Sequence, residues 1–252
     1  MATTSAAADL PPNPERKLIA PLWHTIVFVL FVFGYAYFQR GRVGRFENQH
    51  ITNKVPFYLF TIAFELVLVA YVWFLGVKPA GGSIRAVIGG KWNSAADVLR
   101  DIGIAFVFWI IIIGPLVAVQ HLLGANTQMA KAAQTMSPQS NQEMIVWVLL
   151  AVSAGFCEEF VFRGYLQKQF HAITGSAAAA IALQAFVFGA AHLYQGVNGA
   201  ITITVYGALF GILAEYRKSL RPGMIQHAMQ DSFAGLAYGL LRRMGKLPAI
   251  SF

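Results

Sequence analysis

Runs of apolar residues without a formal charge dominate this chain. Ile19 to Gln39, Ile102 to Ala130 and Ala172 to Ala214 contain no Asp, Glu, Lys or Arg, and each exceeds the roughly 20 residues a helix needs to cross a bilayer. The pattern predicts an all-α, polytopic transmembrane helix bundle with about seven membrane helices, or eight if a short or re-entrant one lies in a loop. The first three cover about Pro21–Phe38, Val55–Val77 and Asp101–Leu123. Gly114-Pro115 predicts a kink in the third, because proline removes a backbone donor. The fourth runs from about Met144 to Phe170. The long uncharged run divides at Gln195-Gly196-Val197-Asn198-Gly199 into a fifth helix (about Ser176–Tyr194) and a sixth (about Ala200–Tyr216). The seventh covers about Ser219–Leu241, with Pro222 tolerated in its first turn. Gly81-Gly82 and the polar, partly amphipathic stretch Gly124–Gln142 read as loops.

Composition sharpens this picture. Of 252 residues, 57% are hydrophobic and 12% charged, against about 25% charged in ordinary soluble domains. An integral membrane protein is the class that fits, multi-pass and in the cell membrane if the source is bacterial. The net charge of +8 gathers in short segments between apolar runs, such as Arg40-Gly41-Arg42 with Arg45, and Arg217-Lys218 with Arg221. Such segments read as topology signal and contact with lipid headgroups. No basic stripe interleaved with aromatics suggests a nucleic-acid partner. The single cysteine, Cys157, excludes an internal disulfide and a cysteine-based metal cluster. Residues 1–17 read as a disordered tail, 18–142 as three helices with their loops, 143–241 as a helical core, and 242–252 as a short basic tail. The first apolar run lacks a small-residue cleavage site and reads as a retained helix.

The core carries the unusual chemistry. Glu158-Glu159-Phe160-Val161-Phe162-Arg163 follows an uncharged run from Met144 to Cys157. Three unpaired charges at membrane depth would cost roughly 8–10 kcal/mol, so the fold must offset them. Glu159 and Arg163 stand four apart on one helical face and can pair. Glu158 points about 100° away and is left to present a carboxylate elsewhere, as a general base requires. The fifth helix offers Phe188 and His192 on one face, separated by small residues that permit close packing. The seventh offers His227 and Asp231, again four apart. Each histidine by itself fits an interfacial or satisfied buried residue, and a structural ion pair accounts for Glu159 and Arg163. The joint occurrence on three helices is what points to a water-activating site. Cys157, beside two carboxylates that oppose thiolate formation, reads as packing.

These three motifs, in this order, resemble the CPBP family of intramembrane proteases, which includes CAAX prenyl endopeptidases and Abi proteins. The pattern stands as Glu158-Glu159…Arg163, Phe188…His192 and His227…Asp231, and covers about Glu143–Leu241. The resemblance implies a glutamate-dependent endopeptidase acting on membrane-associated peptides or proteins, prenylated ones among them. It implies Glu158 as the base that activates water, His192 as the residue positioning that water, and His227 with Asp231 as the stabilisers of the oxyanion. Glu159, Arg163 and Phe188 would serve structure or substrate placement. Asp231 departs from the CAAX-processing branch, which carries asparagine there. Glu158, His192 and His227 would also suit zinc, but no His-Glu-x-x-His helix exists, and the reading adopted is no cofactor. Membrane lipids and a membrane-associated peptide are the expected partners.

Two other classes compete: a catalytically silent membrane protein that binds a peptide, and a proton-coupled transporter. Glu65, a carboxylate at depth in the second helix and outside the motif set, favours the latter. Straight helices also leave a mismatch. Counted at 1.5 Å per residue from the basic-loop side, Glu158 lies roughly 15–18 Å in, His227 roughly 12 Å and His192 roughly 24 Å. Assembly of the site therefore calls for tilt, a deeper start of the fifth helix, or a break near Gly189.

Overall fold

The computed structural model describes residues 17–39, 53–124 and 127–246, and all regular structure among them is helical. The cluster of Arg40, Arg42 and Arg45, residues 1–16 of the N-terminal tail and 247–252 of the C-terminal one lie outside the described residues. In chain order come α1 (Leu22–Gln39), α2 (Val55–Tyr71, prolonged by a π-helical turn Val72–Val77) and the short α3 (Ile84–Ile88). Next are α4 (Ala95–Leu123), α5 (Thr127–Met136) and α6 (Asn141–Glu158). A π-helical segment, Glu159–Gln167, then leads into α7 (Lys168–Thr174), followed by α8 (Ala177–Ala191), α9 (Val197–Arg217) and α10 (Arg221–Arg243).

Five of these stretches are long and apolar enough to cross a membrane: α1, α2 with its π turn, α4, the continuous run Asn141–Thr174, and α9. Two of the seven expected helices fall outside that group. The apolar α8 has only 15 residues. The longer α10 carries Arg221, Asp231, Arg242 and Arg243.

Local chemistry accounts for the shifted boundaries. The third long helix starts at Ala95 rather than near Asp101, because the Ser94 hydroxyl accepts from the Asp97 N–H at 3.2 Å and Asp97 Oδ2 accepts from the Asn93 N–H at 3.0 Å. This is an N-cap that satisfies donors the helix cannot. The helix then continues through Pro115 to Leu123. The last helix begins at Arg221, with Pro222 in its first turn, and runs on to Arg243, inside the stretch expected as tail. The loop after α4 contains the amphipathic α5, and the Gly81-Gly82 turn leads into α3.

The run Asn141–Thr174 is the axis of the bundle. Half of its most apolar window is buried, against 11% for α4. On α4, Val107, Ile110, Ile111 and Val117 stay exposed, a face suited to lipid. The α6 helix packs on α2 and α10, and α8 packs on α9 and α1. Because lipid tails are as apolar as leucine, these contacts stabilise through close packing and polar bonds rather than water release.

One such polar knot ties α1, α2 and the π segment together. His24 Nδ1 bonds the Tyr165 hydroxyl at 2.8 Å, His24 Nε2 bonds the Tyr71 carbonyl at 3.3 Å, and Thr25 Oγ1 meets the same Tyr165 hydroxyl at 2.8 Å. A second knot caps α6. Ser140 Oγ and Glu143 form a reciprocal capping box, and Glu143 also accepts from the Lys54 N–H at 2.9 Å. Lys54 Nζ donates to the Ser137 carbonyl at 2.6 Å. Burial, reinforced by Arg242 and opposed by Glu143, pushes the Lys54 ammonium down to about 8.

Candidate active site

The charged motif begins where α-helix gives way to π-helix. Glu158 is the last residue of α6, and Glu159 opens the wider π turn, a distortion often found at functional sites. Arg163 is fully buried. Its Nη1 donates to Glu159 Oε1 at 2.9 Å and its Nη2 to the Gly207 carbonyl at 3.3 Å. The guanidinium also lies over the rings of Phe188 (4.3 Å) and Phe210 (5.2 Å). The expected Glu159–Arg163 pair is therefore present, and it is deeply enclosed. Ion pairing, a carbonyl and two aromatic faces together offset the cost of the buried guanidinium.

His227 completes the motif from α10. Close approach of α6 and α10 places it there: a Cβ on Gly155 would sit 2.8 Å from the Ala228 nitrogen and the Met224 carbonyl. The imidazole is held on both nitrogens. Nδ1 lies 3.1 Å from Glu159 Oε1, and Nε2 lies 3.7 Å from Glu158 Oε2 and 3.6 Å from Asp231 Oδ2. Because Glu159 is committed to a guanidinium, it is an ionised acceptor, and Nδ1 must carry the hydrogen. That fixes the tautomer: Nε2 alone faces Glu158 and Asp231, as a lone pair in the neutral ring or as an N–H in the imidazolium. Adjacent glutamates about 100° apart on the helix thus reach opposite nitrogens of one ring.

Exposure rises across this cluster. The side chains of Glu159 and His227 are 1% and 5% exposed, Glu158 is 21% and Asp231 39%. The Nε2 side of the ring is the open side. Glu158 makes no hydrogen bond among the described residues beyond its approach to His227, so its carboxylate keeps acceptor capacity. The shorter contact to the ring, at Nδ1, comes from Glu159 rather than from Asp231.

The fifth predicted helix does bring its histidine to this side. Gly189 lets α8 close on α9, since a Cβ there would overlap Thr204 Oγ1 at 1.8 Å. No break occurs at Gly189. Helix α8 runs on to Ala191 and His192 caps its end, with Nδ1 bonded to the Phe188 carbonyl at 2.8 Å. His192 stands within electrostatic reach of Asp231, but no hydrogen bond or ion pair among the described residues joins it to Glu158 or His227. Among the described residues, no group of three or more His, Cys, Asp or Glu is arranged to hold a metal ion.

Two neighbours were not part of the motif reading. Glu65 of α2 accepts from Ser153 Oγ at 2.7 Å and lies within electrostatic reach of Glu158, His227 and Asp231. Its signal in the sequence was an isolated acid inside an apolar run. Tyr194, in the turn after His192, comes within reach of Glu158 and Asp231, and no spacing pattern marked it. Trp147 Nε1 donates to the Asp231 carbonyl at 2.8 Å, pinning α10 to α6 at the site. Cys157 is buried beside Ser153, 3.7 Å from its hydroxyl.

A helical bundle suited to a membrane, with three carboxylates around one buried imidazole, is the arrangement of an integral membrane protein. The family described as type II CAAX prenyl endopeptidase Rce1-like matches residues 140–233. Over that segment the chain is similar to CAAX-type intramembrane proteases, and the resemblance to the CPBP family is borne out. Neither a curated protein nor a solved structure matches the chain.

Proposed function

We propose that the chain is a multi-pass membrane endopeptidase that hydrolyses peptide bonds with water activated by Glu158, acting on membrane-associated peptides or proteins, prenylated ones included. The observation that carries this reading is the division of labour around His227. Glu159, paired with Arg163, holds Nδ1, while Glu158 keeps a half-buried carboxylate free on the Nε2 side. In the proposed reaction, Glu158 removes a proton from water as the oxygen attacks the scissile carbonyl, then passes that proton to the leaving amine. The Nε2–H of protonated His227 stabilises the oxyanion, and Asp231 favours that protonated form. His192, within electrostatic reach of Asp231, would position that water. No resident metal is needed for these steps.

The test is cleavage of membrane-anchored peptides by purified protein. Glu158→Gln keeps size and polarity but cannot accept a proton, and loses about 10²–10⁴-fold in rate, the usual contribution of a general base. Cys157→Ser cleaves as the unaltered protein does. Cleavage surviving in Glu158→Gln rejects the mechanism. One observation favours a second reading: Glu65 joins the same cluster from α2, as a proton relay through the bundle would require. Proton flux in liposomes without cleavage of any peptide would favour that transporter instead.

A further inference from the structure

A second polar centre lies at the basic end of the bundle, where α4 begins, α9 ends and α10 begins. There a cavity of about 370 Å³ is lined by Lys91, Arg100, Asp101, Arg217, Ser219 and Arg221, together with the backbone of Gly89 and Gly90. Both glycines have positive φ, near 90°. At Gly89 a Cβ would sit 2.1 Å from the Lys218 carbonyl, so only glycine lets this loop lie against the α9–α10 turn. The Leu220 N–H bonds the Ile88 carbonyl at 2.9 Å and fixes the two together.

Asp101 organises the wall. It is 1% exposed, accepts from Trp92 Nε1 at 2.8 Å, and meets Arg217 Nη2 at 3.4 Å and Arg100 Nε at 3.8 Å. Arg100 also pairs with Asp97 at 3.1 Å. Four cationic side chains against these two carboxylates leave an excess of two positive charges. Donor capacity is left over as well. Arg217 Nε is buried with no hydrogen-bond partner. Arg221 spends Nη1 on the Gly89 carbonyl and Ser219 Oγ, and Lys91 Nζ makes no hydrogen bond or ion pair among the described residues. Unspent guanidinium donors around a half-open cavity call for a multidentate oxyanion.

We propose that this cavity binds a phosphate group, supplied by the headgroup of an anionic membrane lipid. Its position argues for that source. The cavity lies where three long helices end, the level at which lipid phosphates sit, and basic pockets between helices at that level suit anionic headgroups. Its α4 wall belongs to the helix with the most exposed apolar face. Trp92, itself exposed, stands at the rim with the Arg221 guanidinium 5.4 Å over its ring, as interfacial tryptophans do. Free phosphate would use the same donors. The site is separate from Glu158 and His227, but α10 carries both Arg221 and His227, so occupancy would brace the helix that presents the imidazole.

The full chain in phosphatidylcholine nanodiscs, with and without added phosphatidylglycerol, tests this by unfolding temperature and by native mass spectrometry of retained lipid. Phosphatidylglycerol raises the midpoint by about 2–4 °C, the shift about 1 kcal/mol produces in a chain of this size, and a lipid stays bound. Lys91→Gln combined with Arg221→Gln abolishes both effects, while Lys78→Gln combined with Lys246→Gln, which removes equal charge elsewhere, leaves them intact. Lys91 is exposed, so Lys91→Gln alone, with at least half of the shift lost, serves if the double variant does not fold. Inorganic phosphate that stabilises the detergent-solubilised protein, but not the Lys91/Arg221 variant, would assign the site to free phosphate and overturn the lipid source. Equal shifts in both double variants, or no shift with either anion, would overturn the site itself.

Discussion

Among the described residues two imidazoles are buried in this bundle, and they differ in what surrounds them. His24 is wholly enclosed, and its partners are neutral: the Tyr165 hydroxyl, the Tyr71 carbonyl and the stacked Tyr71 ring. His227 is almost as buried, but three carboxylates reach its nitrogens and one side of the ring opens outward. A neutral ring satisfies every partner of His24, so that knot asks only for shape and hydrogen bonds. The His227 cluster asks for charge, and pays for it with a fully enclosed arginine. Burial of a histidine therefore says little about function. The number of acids around it, and whether one of them remains uncommitted, says much more.

Breaking the Glu159–Arg163 pair should have the largest effect. Glu159→Ala leaves a buried guanidinium without its counter-charge, which costs about 3–5 kcal/mol, and releases His227 Nδ1. Unfolding in detergent should show that loss, and any folded fraction should cleave poorly. A variant of native stability would show that Arg163 does not depend on Glu159. Next in size is His24→Leu, which strips two hydrogen bonds from the α1–α2 knot at about 1–3 kcal/mol. Its activity per folded molecule should be unchanged. A selective fall in cleavage rate with normal stability would erase the contrast between the two histidines.

A smaller change is expected from Asp231→Asn. The amide can donate where the carboxylate only favours a charged ring, so cleavage should stay within about tenfold, or about 1.4 kcal/mol, of the unaltered protein. The effect should appear chiefly in the pH profile of the rate. Loss of more than that would make the Asp231 carboxylate indispensable. A change of a different kind, in pH dependence, is expected at Lys54, whose folded value of about 8 lies below that of an unfolded lysine. Folding thus disfavours its charged form. Below about pH 8 the penalty is constant, and it fades as pH rises from there towards the unfolded value near 10.4. The difference in unfolding temperature between Lys54→Met and the unaltered protein, measured from pH 7 to 10, should shift in favour of the latter as pH rises. A flat difference would remove Lys54 as a buried cation.

Much of the helical layout was legible from the length of the apolar runs. The Val55–Val77 element matches residue for residue, and both ends of α1 and α9 and the C-terminal end of α4 fall within a few residues of expectation. Boundaries set by caps were less visible. Ser94 extends α4 towards the N-terminus, and no hydrophobic period marks its hydroxyl bond. The π turn at Glu159–Gln167 also left no trace, because a widened turn changes hydrogen-bond partners without changing composition.

The Glu158-Glu159…Arg163, Phe188…His192 and His227…Asp231 spacings decided which side chains share a helical face, since a helix turns by a fixed angle per residue. They decided equally that the first carboxylate stands apart from the arginine. Which nitrogen of His227 meets which glutamate, how far His192 stays from that pair, and the arrival of Glu65 from α2 were decided only by the packing of separate helices. Contacts between helices depend on crossing geometry and on where small residues such as Gly155 and Gly189 allow close approach, and neither is written in the spacing along one chain.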